Sequence, residues 1–154
     1  MDYLTLKWLH VLFSTVLFGT GIGSAFYFLA AARQAEPRVV AFVAARVVLA
    51  DWLFTTPMIV LQPLTGAWLV QRAGLSYESR WLQAAIALYV VAVACWIPVV
   101  VLQLRMRDLA REAVAADRPL PPAFRGLLFG WIALGGVAFV AFVAIFHLMV
   151  AKPA

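Results

Sequence analysis

Four apolar runs, each long enough to cross a bilayer, divide this chain, and nearly all its charges lie between them. They are Leu4–Ala32, Val47–Gln71, Trp81–Leu104 and Leu127–Ala151. A helix needs about 20 residues to span the hydrocarbon core. Lipid supplies no hydrogen-bond partners, so a backbone at that depth must satisfy its own amides as a helix. The expected fold is all-α: an integral membrane four-helix bundle forming a single domain over residues 1–154. Composition agrees, with 66% hydrophobic and only 12% charged residues, where soluble domains carry about a quarter charged.

The charges that remain orient the bundle. Arg33, Arg38 and Arg46 flank the first connection, and Arg105, Arg107, Arg111, Arg118 and Arg125 fall in the third. The other side holds Lys7, Arg72, Arg80 and Lys152. Basic residues concentrate on the cytoplasmic side, so both termini are expected outside, on the periplasmic face of a bacterial inner membrane. Basic loops beside lipid account for the net charge of +5, and nothing calls for nucleic acid. The single Cys95 excludes an internal disulfide and a CxxC motif. The first run lacks a basic start and outruns a signal-peptide core, so it is expected as an uncleaved span.

Finer features follow from local chemistry. Pro57 and Pro63 should kink the second span and Pro98 the third. Glu36-Pro37 suits a helix start, making residues 37–46 a short interfacial lead-in. RMRDLAREAVAADR reads as a helix running on into water, stopped by Pro119, Pro121 and Pro122. Asp51, at the inner end of the second span, is expected to pair with Arg46 or Arg33, with a proton-relay role as the alternative. The run GTGIG has the wrong spacing and setting for a dinucleotide site.

Only two histidines occur, His10 and His147, near opposite ends of the chain. With an even number of spans, both arrive at similar depth from the same side. Intramembrane ionisable groups are costly and usually face the bundle interior with a partner. Stepping along the face of His10 gives Phe13, Ser14, Leu17, Gly21 and Ser24; stepping back from His147 gives Ala144, Val143, Val140, Gly136 and Ala133. Gly21 and Gly136 should match in depth. Small residues there allow close helix packing, the commoner use, or a slot for a flat cofactor.

Two imidazoles without further His, Cys or carboxylate companions do not make a closed zinc site. Copper, helped by Met149, is an alternative. Haem needs only one or two axial ligands and an apolar slot, and the absence of CxxCH makes it non-covalent haem b. The expected site is therefore His10 and His147 as axial ligands, with Ser14 accepting the second ring N–H of His10. Lys7 would either snorkel to headgroups or neutralise a propionate. Gln62, Thr65, Gln83 and Tyr89 lie near the same depth, as helix-to-helix glue or as partners for a propionate or quinol.

The segments LKWLHVLFSTVLFGTGIGSAFYF, DWLFTTPMIVLQPLTGAWL and ACWIPVVVLQLRMRDLAR resemble a bacterial family of predicted four-helix integral membrane proteins of unknown function, over nearly the whole chain. More distantly, Lys7-x-x-His10 and the apolar run into glycine resemble the HemJ-type protoporphyrinogen oxidases and the CopD-type copper-resistance membrane proteins. The HemJ resemblance implies that His10 takes part in haem binding. The later-span lysine of those enzymes has no counterpart in the second, third or fourth span. The CopD resemblance implies copper handling, with fewer His and Met ligands than that group offers.

The leading expectation is a membrane haem b protein with bis-His ligation, passing electrons to or from a quinol or porphyrin-like partner. The alternatives are a small transporter or metal-handling membrane protein, and a non-catalytic assembly subunit; composition also allows a homo-oligomer.

Overall fold

The structure, a computed structural model, describes residues 1–153, and its regular elements are all helical. Helix α1 covers Tyr3–Gln34, α2 Pro37–Ala50, α3 Thr56–Arg72, α4 Arg80–Ala115 and α5 Ala123–Ala151. A single π-helical stretch, Asp51–Thr55, joins α2 to α3 without a break. The four resulting long helices, with Pro37–Arg72 counted as one, all meet the length and hydropathy of a membrane span.

The ends follow from the sequence. Asp2 caps α1 by accepting the Thr5 N–H at 2.7 Å, which satisfies one orphan donor of the first turn. Exposed Asp2 is held below its ordinary pKa chiefly by that backbone bond. Helix α1 stops at Ala35, which takes a left-handed φ of 55°, and Pro37 opens α2 behind the Glu36 cap. The lead-in expected over 37–46 is thus helical, and continuous with the span it precedes. Helix α4 runs on past its apolar stretch to Ala115, as its charged tail suggests.

Two of the prolines in the second span are accommodated by identifiable hydrogen bonds. Pro57 has no N–H and its ring crowds the carbonyl of Leu53. The wide turn just before it accommodates this, with the Thr56 N–H reaching back to the Asp51 carbonyl. Pro63 remains inside α3 and leaves the Ile59 carbonyl without its helical donor. The Tyr89 hydroxyl of α4 donates to that carbonyl at 2.6 Å. Neighbouring helices commonly re-satisfy a proline's freed carbonyl in this way.

Helix α5 packs along α4, α4 against α2, and α1 against α2 and α3. The tightest packing lies at the end bearing the arginine-rich connections, called here the basic end, where Phe28, Val40, Ala44, Met106, Ala110 and Phe124 are buried. Both termini and the α3–α4 connection share the opposite, terminal end. There Lys152 lies over the Trp81 ring at 5.7 Å. The outer surface is apolar, with Trp8, Phe26, Phe42, Trp52, Phe54 and Phe129 all at least half exposed, as a lipid-facing surface requires.

Candidate functional site

One inward stripe of α2 runs Val40, Ala44, Val47 and continues through Asp51 and Thr55, all buried. The spacing of four, three, four and four keeps them on one helical face. On α4 the buried stripe Val99, Gln103, Met106, Ala110 meets it. A carboxyl, a hydroxyl and an amide therefore come together inside an otherwise apolar bundle. Gln103 Nε2 donates to Asp51 Oδ2 at 2.7 Å, and Thr55 Oγ1 donates to Asp51 Oδ1 at 2.8 Å. Each carboxyl oxygen thus accepts one hydrogen bond.

No base joins them. The expected pairing of Asp51 with Arg46 or Arg33 is not formed, and Arg46 lies instead over the Phe42 ring at 5.0 Å. Among the described residues the one ion pair is Arg107 with Asp108 at 2.8 Å. Asp51 is only 8% exposed, so it is a buried carboxyl without a counter-charge. Such groups inside membrane bundles usually mark a functional path or site.

Asp51, Thr55 and Gln103 line the inner end of a cavity of about 470 Å³. That volume falls within the range of small-molecule sites. The backbones of α1 and α5 come close at few points, and the two helices meet through aromatic rings. Phe18 stacks on Phe139 at 5.5 Å and meets Phe146 edge-on at 5.1 Å. At the basic end Phe28 meets Trp131 edge-on at 5.2 Å. Between these two closures the cavity opens sideways, past the exposed lining residues Ile22, Phe26 and Ile132.

Glycines make the space. Gly21 of α1 with Gly135 and Gly136 of α5 line it, and a Cβ added at any of the three would meet nothing within 4 Å. They serve here to leave room, whereas helix packing is the commoner use of such faces. Two tryptophans complete the wall, and their indole N–H groups are buried without a partner: Trp96 Nε1 and Trp131 Nε1. Trp131 is 6% exposed. An orphaned buried donor costs on the order of 1–3 kcal/mol.

His10 belongs to a second polar cluster, nearer the terminal end and outside the cavity lining. Its Nδ1 lies 2.8 Å from Thr65 Oγ1, and its Nε2 lies 3.1 Å from Gln62 Nε2. The Thr65 hydroxyl donates its proton to the Leu61 carbonyl at 2.8 Å, so it accepts from Nδ1–H. The ring's Nε2 then accepts from the Gln62 amide. This network assigns a neutral Nδ1–H tautomer. Gly66 lets the ring approach, since a Cβ there would lie 3.3 Å from His10 Cε1.

The two histidines are not brought together. Both ring nitrogens of His10 are engaged by α3, so as placed neither is free for a metal. His147 is exposed on α5, on the outward face shared with Val140 and Val143. Ser14 does not orient His10; its hydroxyl donates to the Val11 carbonyl at 2.8 Å, and Thr65 holds the ring nitrogen instead. Lys7 and Gln83 are exposed, and Gln62, Thr65 and Tyr89 act as glue between helices. Among the described residues no three His, Cys, Asp or Glu side chains gather to hold a metal ion.

Thr55 and Gln103, unlike Asp51, are not among the candidate residues of the sequence, although helical period marks both. Asp51 and Thr55 continue the period of Val40, Ala44 and Val47, and Gln103 continues that of Val99 and Met106. Residues 4–153 match the family described as "Predicted integral membrane protein (DUF2269)". No curated protein and no solved structure matches the chain.

Proposed function

The chain belongs to this family of integral membrane proteins, and from that premise we propose that it binds an apolar small molecule drawn from the bilayer, as a small transporter or membrane binding protein. The observation that carries this is the cavity of about 470 Å³ that opens sideways between α1 and α5 and ends on buried Asp51. A ligand partitioned into lipid would enter past Ile22 and Ile132 without crossing water. The aromatic walls contribute contact area, and the polar inner end fixes orientation, as in most small-molecule sites. The π-turn carrying Asp51 sits where such turns often mark function. The excess of arginines at the basic end supports a cytoplasmic position for that end in a bacterial membrane.

Protein extracted in mild detergent tests this by native mass spectrometry. Wild type should carry a co-purified adduct of small-molecule mass, and Gly136→Phe, which projects a ring into the cavity, should lack it. Identical spectra from the two would overturn the proposal.

A haem-binding role has one observation in its favour, the slot that Gly21 and Gly136 both face. It requires His10 to release Thr65 or Gln62, and His147 to turn inward. A Soret band in the purified protein that shifts on reduction, and that changes in both His10→Ala and His147→Ala, is its expected result. Colourless protein that takes up no added haemin would end it.

A further inference from the structure

We propose that the ligand class of this cavity is the lipophilic organic cation, taken up in exchange for a proton on Asp51. This rests on the cavity being a ligand site and adds the charge of what it holds. Three features of the lining argue for a cation. First, both Asp51 oxygens accept hydrogen bonds, from Thr55 and Gln103, a donor pattern that serves a carboxylate. Second, the elements around Asp51 bring it no counter-charge: α4 contributes Gln103, Val99 and Trp96, α5 contributes Trp131, and α1 contributes Ala25 and Leu29. Asp51 is the one titratable group in the lining. Third, the walls present aromatic rings at Phe18, Phe26, Trp96, Trp131, Phe139 and Phe142. Ring faces attract cations, more strongly where water is excluded.

A buried carboxylate must be neutralised by a proton or paired with a cation. A hydrated inorganic ion would have to shed its water into a chamber whose walls are almost wholly apolar. A cation wrapped in hydrocarbon has little water to shed and already partitions into the bilayer from which the cavity opens. The exchange balances: protonated Asp51 and an incoming cation give the carboxylate–cation pair and one released proton. Helical rise places Asp51 about 31 Å from Arg72 along its helix, one hydrocarbon thickness from the terminal end. The proton is therefore released near the basic-end boundary.

Purified full-length protein in lipid nanodiscs, titrated with tetraphenylphosphonium by calorimetry, tests the inference. Triphenylphosphine oxide, neutral and acceptor-bearing, is the comparison probe. The expected result is saturable phosphonium binding that releases about one proton per cation and tightens as pH rises through the Asp51 titration. The neutral oxide should bind more weakly by at least about tenfold. Asp51→Asn should lose the proton release and weaken phosphonium binding by a similar factor. Asp51→Glu, which keeps the charge, should retain the proton release, so a folding defect in one variant cannot mimic the result. If oxide and phosphonium bind equally, with no proton released and no effect of Asp51→Asn, the cation inference fails while the cavity stands. If neither probe binds and Gly136→Phe changes nothing, the cavity proposal fails with it.

Discussion

The helix from Pro37 to Arg72 carries two buried polar clusters, around Asp51 and around Thr65, about 21 Å apart by helical rise. Their hydrogen bonds end differently. At Thr65 the chain of donors runs from the Gln62 amide to His10, from His10 to Thr65, and from Thr65 to a backbone carbonyl. It ties α1 to α3 and carries no net charge. At Asp51 the donors converge on a carboxyl that passes nothing onward, beside a cavity with two orphaned indole donors. The Thr65 chain ends on a backbone carbonyl and leaves Gln62 Oε1 buried without a partner, whereas the Asp51 cluster ends on a carboxyl beside open space, where a ligand has room.

The largest expected consequence is a contrast in stability. His10→Ala removes both bonds between α1 and α3 and strands the Gln62 amide, at a cost of about 2 kcal/mol. Asp51→Asn keeps one acceptor and turns an NH2 toward the donor that met the other oxygen; the Thr55 hydroxyl can rotate away, so the cost should be about 1 kcal/mol, below that of His10→Ala. Unfolding midpoints of both variants in the same detergent check this. If Asp51→Asn proves the more damaging, the carboxyl is part of the framework and the contrast collapses.

Next in size is the effect of filling the cavity. Gly136→Phe should cut ligand occupancy by about tenfold or more, equivalent to at least about 1.4 kcal/mol. It should leave the His10 network untouched, as read by histidine ring nitrogen shifts. Loss of both together would mean that the two clusters are coupled.

The same contrast explains what the sequence made legible. On α1 the face stepped from His10 through Leu17, Gly21 and Ser24 is indeed inward, with Leu17 buried and all three lining the cavity. That face is marked by polar and small residues among large ones. Helix α5 carries no such mark. It is apolar on every side, and lipid is as apolar as a bundle interior, so periodicity cannot choose its inner face. The face stepped from His147 holds Val140 and Val143, which are exposed, and contributes only Gly136 to the cavity, whereas Trp131, Gly135 and Phe142 line it from a neighbouring face. Spans and helix ends were readable because bilayer thickness and prolines set them. Which histidine nitrogen meets which partner depends on helix rotation, and only packing sets that.

A smaller effect separates proline repair from ligand chemistry. Tyr89→Phe removes the donor to the Ile59 carbonyl freed by Pro63. Interhelical hydrogen bonds in membrane proteins average about 0.6 kcal/mol, and a loss of that order in unfolding free energy is expected, with phosphonium binding unchanged. A binding defect in Tyr89→Phe would show that this tie holds the cavity open.

The smallest expected effect lies at Gly66, where His10 rests against the backbone of α3. A methyl there would sit 3.3 Å from His10 Cε1, close enough that the ring must shift by a few tenths of an ångström. In Gly66→Ala that strain opposes the gain of up to about 1 kcal/mol from replacing glycine inside a helix. The two nearly cancel, so the unfolding midpoint should barely move. A ring displaced from Gly66 changes its distances to Thr65 and Gln62, so its nitrogen shifts should move although stability does not. If the shifts stay fixed, the ring is held by packing, and the hydrogen bonds to α3 are a consequence of its position.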